Sequence, residues 1–176
     1  MTVKAKEFIE RMKKQIGTQK RVLEVGSKDF AGSIRDLFTD SDEYIGIDML
    51  EGSGINRGDV DIVMNAHDIR EIFRPESFDC VLCCETLEHD KKFWITVENI
   101  RWAVKRGGWL IITVPGTHTP NHDLRNTYYD YWRFMEDGVR SFFEGFEKVL
   151  IEKFYADNNE ADEYPDGWVG AGRKPL

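Results

Sequence analysis

Residues 22–32 read Val-Leu-Glu-Val-Gly-Ser-Lys-Asp-Phe-Ala-Gly, and this stretch decides the fold. Val22, Leu23 and Val25 supply the apolar run of a buried strand. Glu24 stands at its carboxyl end, where open α/β sheets bind their ligands. Gly26 lets the backbone turn and come close to a ligand with no Cβ in the way. Gly32 and Ser33 are expected to open a helical segment carrying Ile34, Leu37 and Phe38. The result is a nucleotide-type pocket with an acid where a phosphate binder wants none. A carboxylate there repels phosphate and attracts a cation, so a positively charged nucleoside fits better than a dinucleotide.

Outward from that stretch, apolar periodicity predicts alternating elements. Residues 3–16 form an amphipathic helix with Phe8, Ile9, Met12 and Ile16 on one side, within an N-terminal helical region 1–18. Strands are expected at about Arg21–Val25, Tyr44–Asp48, Asp61–Met64 and Phe78–Cys84. A helix follows near Lys92–Val104, and Gly107-Gly108 is read as ending it and starting a strand at Trp109–Val114. Residues 115–135 are a long connection rich in His, Pro, Asn and aromatics, the length and kind of loop that carries function. Val139, Phe142, Phe143 and Phe146 mark another helix. Glu147–Phe154 and Trp168–Ala171 are two closing strands with no helix between them. Alternation implies parallel pairing with right-handed crossovers. The expected fold is therefore α/β: a Rossmann-like, doubly wound, mostly parallel seven-stranded sheet with an antiparallel C-terminal edge hairpin. The whole of 1–176 reads as a single domain.

Bulk properties narrow the function classes. The chain has 176 residues, a net charge of −8 and 41% hydrophobic residues. That content suits a packed core. The negative charge argues against non-specific nucleic-acid binding, which needs Lys and Arg to neutralise phosphate. No apolar run approaches the ~20 residues of a membrane helix, and the N-terminus lacks an apolar signal core. The three cysteines, Cys80, Cys83 and Cys84, are odd in number and crowded together, which fits a reducing cytoplasm rather than a disulfide framework.

The acids follow the strands in order. Asp48 ends the second strand, 24 residues after Glu24. A carboxylate there can accept both hydroxyls of a ribose, and Met49 can lie against a base. After the third strand Asp68 can accept from an exocyclic amine, with Ile69 beside the ring. After the fourth, Cys84 and Glu85 open the segment CETLEH, residues 84–89. A rim carrying Glu24, Asp48, Asp68 and Glu85 favours a cation and hydroxyl donors.

On these residues the chain resembles class I S-adenosylmethionine-dependent methyltransferases of the small single-domain kind, from about residue 20 to 173. FDCVLCCETLEH resembles the family's strand-four motif and KRGGWLIITVPG its strand-five motif. HTPNHDLRNTYYDYWRFMEDGVRSFF resembles a subgroup with an Asp-Tyr-Trp-Arg-Phe lid. The resemblance implies that Glu24, Gly26 and Ser27 hold the methionine end of S-adenosylmethionine, Asp48 the ribose, and Asp68 with Ile69 the adenine. It implies methyl transfer to a small or medium-sized acceptor, leaving S-adenosylhomocysteine. The protein then chiefly aligns donor and acceptor and excludes water, and needs a base only if the acceptor must lose a proton. Two positions depart from the pattern. The usual acid-x-Gly-x-Gly-x-Gly turn has Lys28 and Phe30 at its later glycine positions. The lid subgroup's N-capping Thr is Met135, so the helix there must be capped by other means.

Blander readings stand beside these. Acid-x-Gly is common in turns, and Asp48 or Asp68 alone could cap a helix. Cys80 and Cys83 imitate a metal pair, but residues three apart on a strand face opposite sides. His118 and His122 have helical metal spacing, but Pro120 between them breaks the helix. No metal site is expected. Tyr128, Tyr129, Tyr131 and Trp132 read either as an acceptor wall or as the apolar underside of a lid. Arg133 could meet an anionic acceptor or pair with the acidic loop near Asp157–Glu163. If a base is used, its candidates are His89, His118, His122 and Asp130, while Tyr131, Trp132 and Arg133 are candidates for binding acceptor. His89 reads equally as an acceptor ligand or as a group satisfying a helix start. A non-catalytic cofactor-binding module acting as a partner or regulatory subunit is the alternative function, motivated by Lys28 and Phe30. A dinucleotide oxidoreductase fits poorly, because GxGxxG is missing and Glu24 is present.

Overall fold

A computed structural model of the chain describes residues 2–29, 32–51, 59–120, 129–155 and 165–176. Phe30, His122, Tyr128 and the acidic run 157–163 lie outside the described residues. The sheet has seven strands in the order β3-β2-β1-β4-β5-β7-β6. They are β1 (Arg21–Val25), β2 (Glu43–Asp48), β3 (Ile62–Val63), β4 (Phe78–Cys84), β5 (Val104–Pro115), β6 (Glu147–Phe154) and β7 (Gly167–Arg173). β1 pairs in parallel with β2 and β4, as do β2 with β3 and β4 with β5. β7 runs antiparallel to both β5 and β6, so the closing hairpin inserts its second strand and leaves its first on the edge. The strand order reverses between β1 and β4, which puts a crevice at their carboxyl ends.

Both faces of β1 and β4 are covered, which explains their largely apolar sequences. Helix α1 (Val3–Ile16) lays Phe8, Ile9 and Met12 on one face, against Val22, Cys80, Leu82 and Ile111. Thr2 caps it by accepting the Ala5 N–H at 3.2 Å, and Gly17, at φ 72°, turns the chain away. On the other face Leu23, Val25, Val81 and Cys83 pack with Ile69 of α2 (Ile69–Ile72), Val97 and Ile100 of α3 (Phe93–Ala103) and Val139 of α4 (Glu136–Ser141). Cys80 and Cys83 thus sit on opposite faces, both buried and free, with burial pushing their thiols up.

Three element expectations are corrected. The segment after Gly32 is one short 3₁₀ turn, Arg35–Phe38, rather than an α-helix. It still buries Ile34 and Phe38. Gly107 and Gly108 do not end a helix: α3 stops at Ala103 and the chain enters β5 directly at Val104. The glycines fall where the β4–β5 register shifts, between Phe78 and Cys80, and a Cβ on Gly108 would lie 2.9 Å from the Asp79 carbonyl. Helix α4 ends at Ser141, short of Phe142, Phe143 and Phe146, which the apolar spacing predicts on it; Met135 gives it no side-chain cap. Glu136 and Asp137 in its first turn supply favourable charge instead.

β7 carries Gly170 and Gly172 because the Phe143 ring lies on them: a Cβ at 170 would stand 2.5 Å from its Cε2, and one at 172 would stand 2.7 Å from Cδ1. That ring closes the layer that holds α4 to the sheet. Phe143→Ala is expected to cost about 3–5 kcal/mol in urea unfolding. A loss under about 1 kcal/mol would show that the ring is not packed as described.

Candidate active site

The carboxyl ends of β1, β2 and β4 open into one cavity of about 990 Å³. Glu24, Asp48 and Glu85 all line it, one from each of these strand ends. Gly26, Ser27, Met49 and Cys84 line it too. The turn after β1 is shaped for this place. Gly26 has φ 77°, and a Cβ on it would lie 2.0 Å from Thr86 Oγ1, so only glycine passes beneath the β4 outlet. The Gly26 and Ser27 N–H groups both donate to the Ile47 carbonyl, at 2.9 and 3.1 Å, folding the turn onto β2.

The carboxyls differ in environment. Glu24 is only 6% exposed. Burial pushes its pKa up to about 8, against the opposing effects of the Tyr44 hydroxyl, which donates to it at 2.7 Å, and of Arg35. Arg35 is itself paired with Asp61 and stacked over the Tyr44 ring at 4.8 Å. Among the described residues Glu24 is therefore held by a neutral donor, and not by a salt bridge that would cancel its charge. Asp48 accepts from the Leu50 N–H at 3.0 Å and the Lys28 N–H at 3.3 Å. Glu85 adopts a left-handed φ of 48° and has one buried oxygen, Oε1, with no hydrogen-bond partner among the described residues. Burial raises its pKa, and burial together with the Glu85 charge raises that of Glu88 well above the carboxylate range. Ser27 Oγ is likewise buried without a partner among the described residues. Unsatisfied buried groups facing a cavity are matched to a ligand that brings donors.

The loop after β3 enters the cavity through Met64, Asn65, Ala66 and His67 and not through Asp68 or Ile69. Ile69 is fully buried in the core. Neither residue of the expected base contact, Asp68 with Ile69, therefore lies in the cavity lining, Asp68 standing one residue beyond His67. The missed signal is Asn65, a capping residue, whose Oδ1 accepts the His67 N–H and starts the turn at 66.

Residues 129–134 are stitched along the β4 outlet. The Tyr131 and Trp132 N–H groups donate to the Glu88 carbonyl, at 2.8 and 3.3 Å, and Phe134 N–H donates to the Pro115 carbonyl at 3.0 Å. His89 Nδ1 lies 2.9 Å from the Tyr129 carbonyl, which can only accept, so Nδ1 carries the proton and Nε2 is the basic nitrogen of the neutral ring. Tyr129, Tyr131 and His89 line the cavity. Trp132, Arg133, Asp130 and His118 do not. Trp132 packs on Phe93 at 5.5 Å. Arg133 is engaged within its own segment: it grips Asp130 with two bonds at 2.9 and 2.6 Å and donates to the Thr119 and Pro120 carbonyls. Among the described residues no group of His, Cys, Asp or Glu is placed to hold a metal ion. None of the described helices is long and apolar enough to cross a membrane.

Comparison with known proteins agrees with this geometry. A family model described as a methyltransferase domain matches residues 1–147. A solved S-adenosylmethionine-dependent methyltransferase from Archaeoglobus fulgidus superposes with a TM-score of 0.69 at 17% identity, covering 96% of this chain and 94% of its own. The 1,6-didemethyltoxoflavin-N1-methyltransferase of Burkholderia thailandensis, solved with 1,6-didemethyltoxoflavin and S-adenosylhomocysteine, gives 0.68 at 16% identity over 98% of this chain and 79% of its own. Phosphoethanolamine N-methyltransferase 2 of Haemonchus contortus, in complex with S-adenosylmethionine, gives 0.65 at 17% identity over 97% of this chain and 52% of its own. None of the curated proteins matches the chain in sequence.

The raised Glu24 pKa fixes a pH dependence. Between about 4.5 and 8 the folded state binds a proton at Glu24 that the unfolded chain has released, so this residue's contribution to stability falls as pH rises through that window. Glu24→Gln is expected to leave the melting temperature nearly unchanged at pH 5 and to raise it by at least about 3 °C at pH 8.5. An equal shift at both pH values would contradict a buried, protonated Glu24.

Proposed function

The chain belongs to the methyltransferase-domain family, and from that premise we propose that it transfers a methyl group from S-adenosylmethionine to a small-molecule acceptor. One observation carries the reading: the Glu24, Asp48 and Glu85 carboxyls, from three adjacent strand ends, line a single cavity. Its volume, about 990 Å³, is at the upper end of small-ligand pockets, roughly 300–1,000 Å³, and leaves room for a second small molecule beside a nucleoside. The protein is expected to act in a reducing compartment such as the cytoplasm, since its three cysteines are free.

The residues present fit the cofactor. Glu24 would hold its α-ammonium, giving up a proton as the positive charge arrives, and Ser27 Oγ would meet the same end of the molecule. Asp48 would accept the two ribose hydroxyls and Met49, 61% exposed, would cover the base. When bound, the cofactor supplies an activated methyl group on a sulfonium sulfur. The chain's own task is then alignment and exclusion of water. Tyr129, Tyr131 and His89 form the wall on which an acceptor would rest. His89 is the base best placed to take an acceptor proton, because its Nδ1–H is fixed on the Tyr129 carbonyl, which leaves Nε2 as the proton-accepting nitrogen of the ring. Asp130, held by Arg133, instead anchors the lid.

Asp48→Ala is expected to weaken S-adenosylhomocysteine binding by roughly 2–3 kcal/mol, about 30- to 150-fold, read by titration calorimetry. Unchanged affinity would show that Asp48 is not the ribose clamp. With any acceptor that must lose a proton, His89→Asn is expected to lower turnover roughly 100-fold or more while moving S-adenosylhomocysteine affinity less than about 3-fold. Failure of the wild type to bind S-adenosylhomocysteine at millimolar concentration would overturn the assignment.

A further inference from the structure

The aromatic wall of the cavity does not end at its mouth. Tyr129 and Tyr131 line the cavity and are also exposed, with ring centroids 5.9 Å apart. The next ring along the chain, Trp132, lies outside the cavity lining. It packs edge-on against Trp94 at 6.4 Å and Phe93 at 5.5 Å, and its indole N–H donates to the Asp90 carbonyl at 3.0 Å. Asp90, Lys91 and Lys92 line the cavity, and Trp94 follows two residues later in the first turn of α3. Trp94 is 48% exposed and Trp132 37%. The two tyrosines and two tryptophans thus form a strip that begins inside the cavity and continues over its edge. The strip is also fixed in place: the Tyr131 and Trp132 N–H groups are both tied to the Glu88 carbonyl.

Contiguous exposed rings mark a place where an apolar surface docks. The Trp132 N–H is already satisfied within the chain, so its ring offers apolar contact alone. Three occupants compete for the strip. An anionic bilayer is opposed by the net charge of −8. A second copy seated there would cover Tyr129 and Tyr131 and shut the cavity against an acceptor. The acceptor itself is left. We propose that the acceptor is amphiphilic: its methyl-accepting end enters the cavity beside His89, and a hydrocarbon chain leaves past Tyr131 and lies on Trp132 and Trp94. This deepens the methyl-transfer reading given above and rests on it. Trp94 and Trp132 are then specificity-determining residues, which favour long-chain acceptors without touching the reacting atoms. Rings already held in place cost little further ordering when the chain arrives.

The test titrates the methyl, butyl and octyl esters of 4-hydroxybenzoate into protein saturated with S-adenosylhomocysteine. The phenol gives the tyrosine wall a ring to pack on and His89 a proton to accept, and only the chain varies. Calorimetry of the wild type is expected to show the octyl ester binding roughly 10-fold or more tighter than the butyl, since each buried CH₂ strengthens binding by up to about fourfold. Trp94 belongs to neither apolar core, so its replacement leaves the fold in place. Trp94→Ser is expected to cut the gain below about 3-fold, with S-adenosylhomocysteine and methyl-ester affinities within about 2-fold of wild type, and Trp94→Phe to keep most of the gain. A wild type indifferent to chain length overturns the inference. So does a gain that survives in Trp94→Ser, and so does failure of all three esters to bind. Each of these leaves the cofactor assignment standing, whereas a wild type that does not bind S-adenosylhomocysteine removes both. A wild-type dimer in sedimentation that Trp94→Ser dissolves assigns the strip to a second copy. Flotation with phosphatidylglycerol vesicles that Trp94→Ser abolishes assigns it to a bilayer, and either result overturns the inference.

Discussion

A carboxyl group kept out of water at the mouth of the central strand governs the rest of this structure. Glu24 lines the crevice from β1 and, among the described residues, has a neutral phenol and no cation as its hydrogen-bond donor. Leaving such a group ionised in a low-dielectric site is costly, so without a ligand it holds its proton. A cation arriving in the crevice changes that balance. The arrangement is therefore biased toward positively charged ligands before any contact is counted. It is also why the neighbouring turn can dispense with the phosphate-cradling features of a dinucleotide site.

The fold delivers the other groups to the same mouth. Parallel pairing aligns the carboxyl ends of β2, β1 and β4, and the reversal of strand order between β1 and β4 keeps helices from covering them. Gly26 allows the β1 and β4 outlets to touch. Burial extends past the strand ends: Glu85 and Glu88 sit under residues 129–134, which are tied to the β4 outlet by backbone hydrogen bonds. A cavity wall held by backbone hydrogen bonds in this way is preorganised.

The strand pattern was legible because both faces of β1, β4 and β5 are buried, and such strands read as unbroken apolar runs. Glu24, Asp48 and Glu85 were legible because a strand's end fixes where its next residue goes. Positions further from a strand end were not. A carboxylate at 68 suggests a cavity residue from sequence, yet Asn65 starts the turn earlier and the loop lines the cavity through Ala66 and His67. Arg133 resembled an acceptor ligand. Its guanidinium fork matches the Asp130 carboxylate three residues back, a local pairing that loop sequence does not announce. The helix expected after Gly32 shortened to one 3₁₀ turn, since four residues, Arg35–Phe38, suffice there. A double glycine at 107–108 suggests a helix stop, whereas it lies at a register shift against β4.

Whether a buried, protonated Glu24 receives the charged end of the cofactor is decided most directly by counting protons. S-adenosylhomocysteine is titrated calorimetrically at pH 7 in two buffers of different ionisation enthalpy, for the wild type and for Glu24→Gln. With an unliganded pKa near 8, Glu24 should release about one proton on binding, and the variant should release none. Tight binding by the wild type with no proton released would contradict the account.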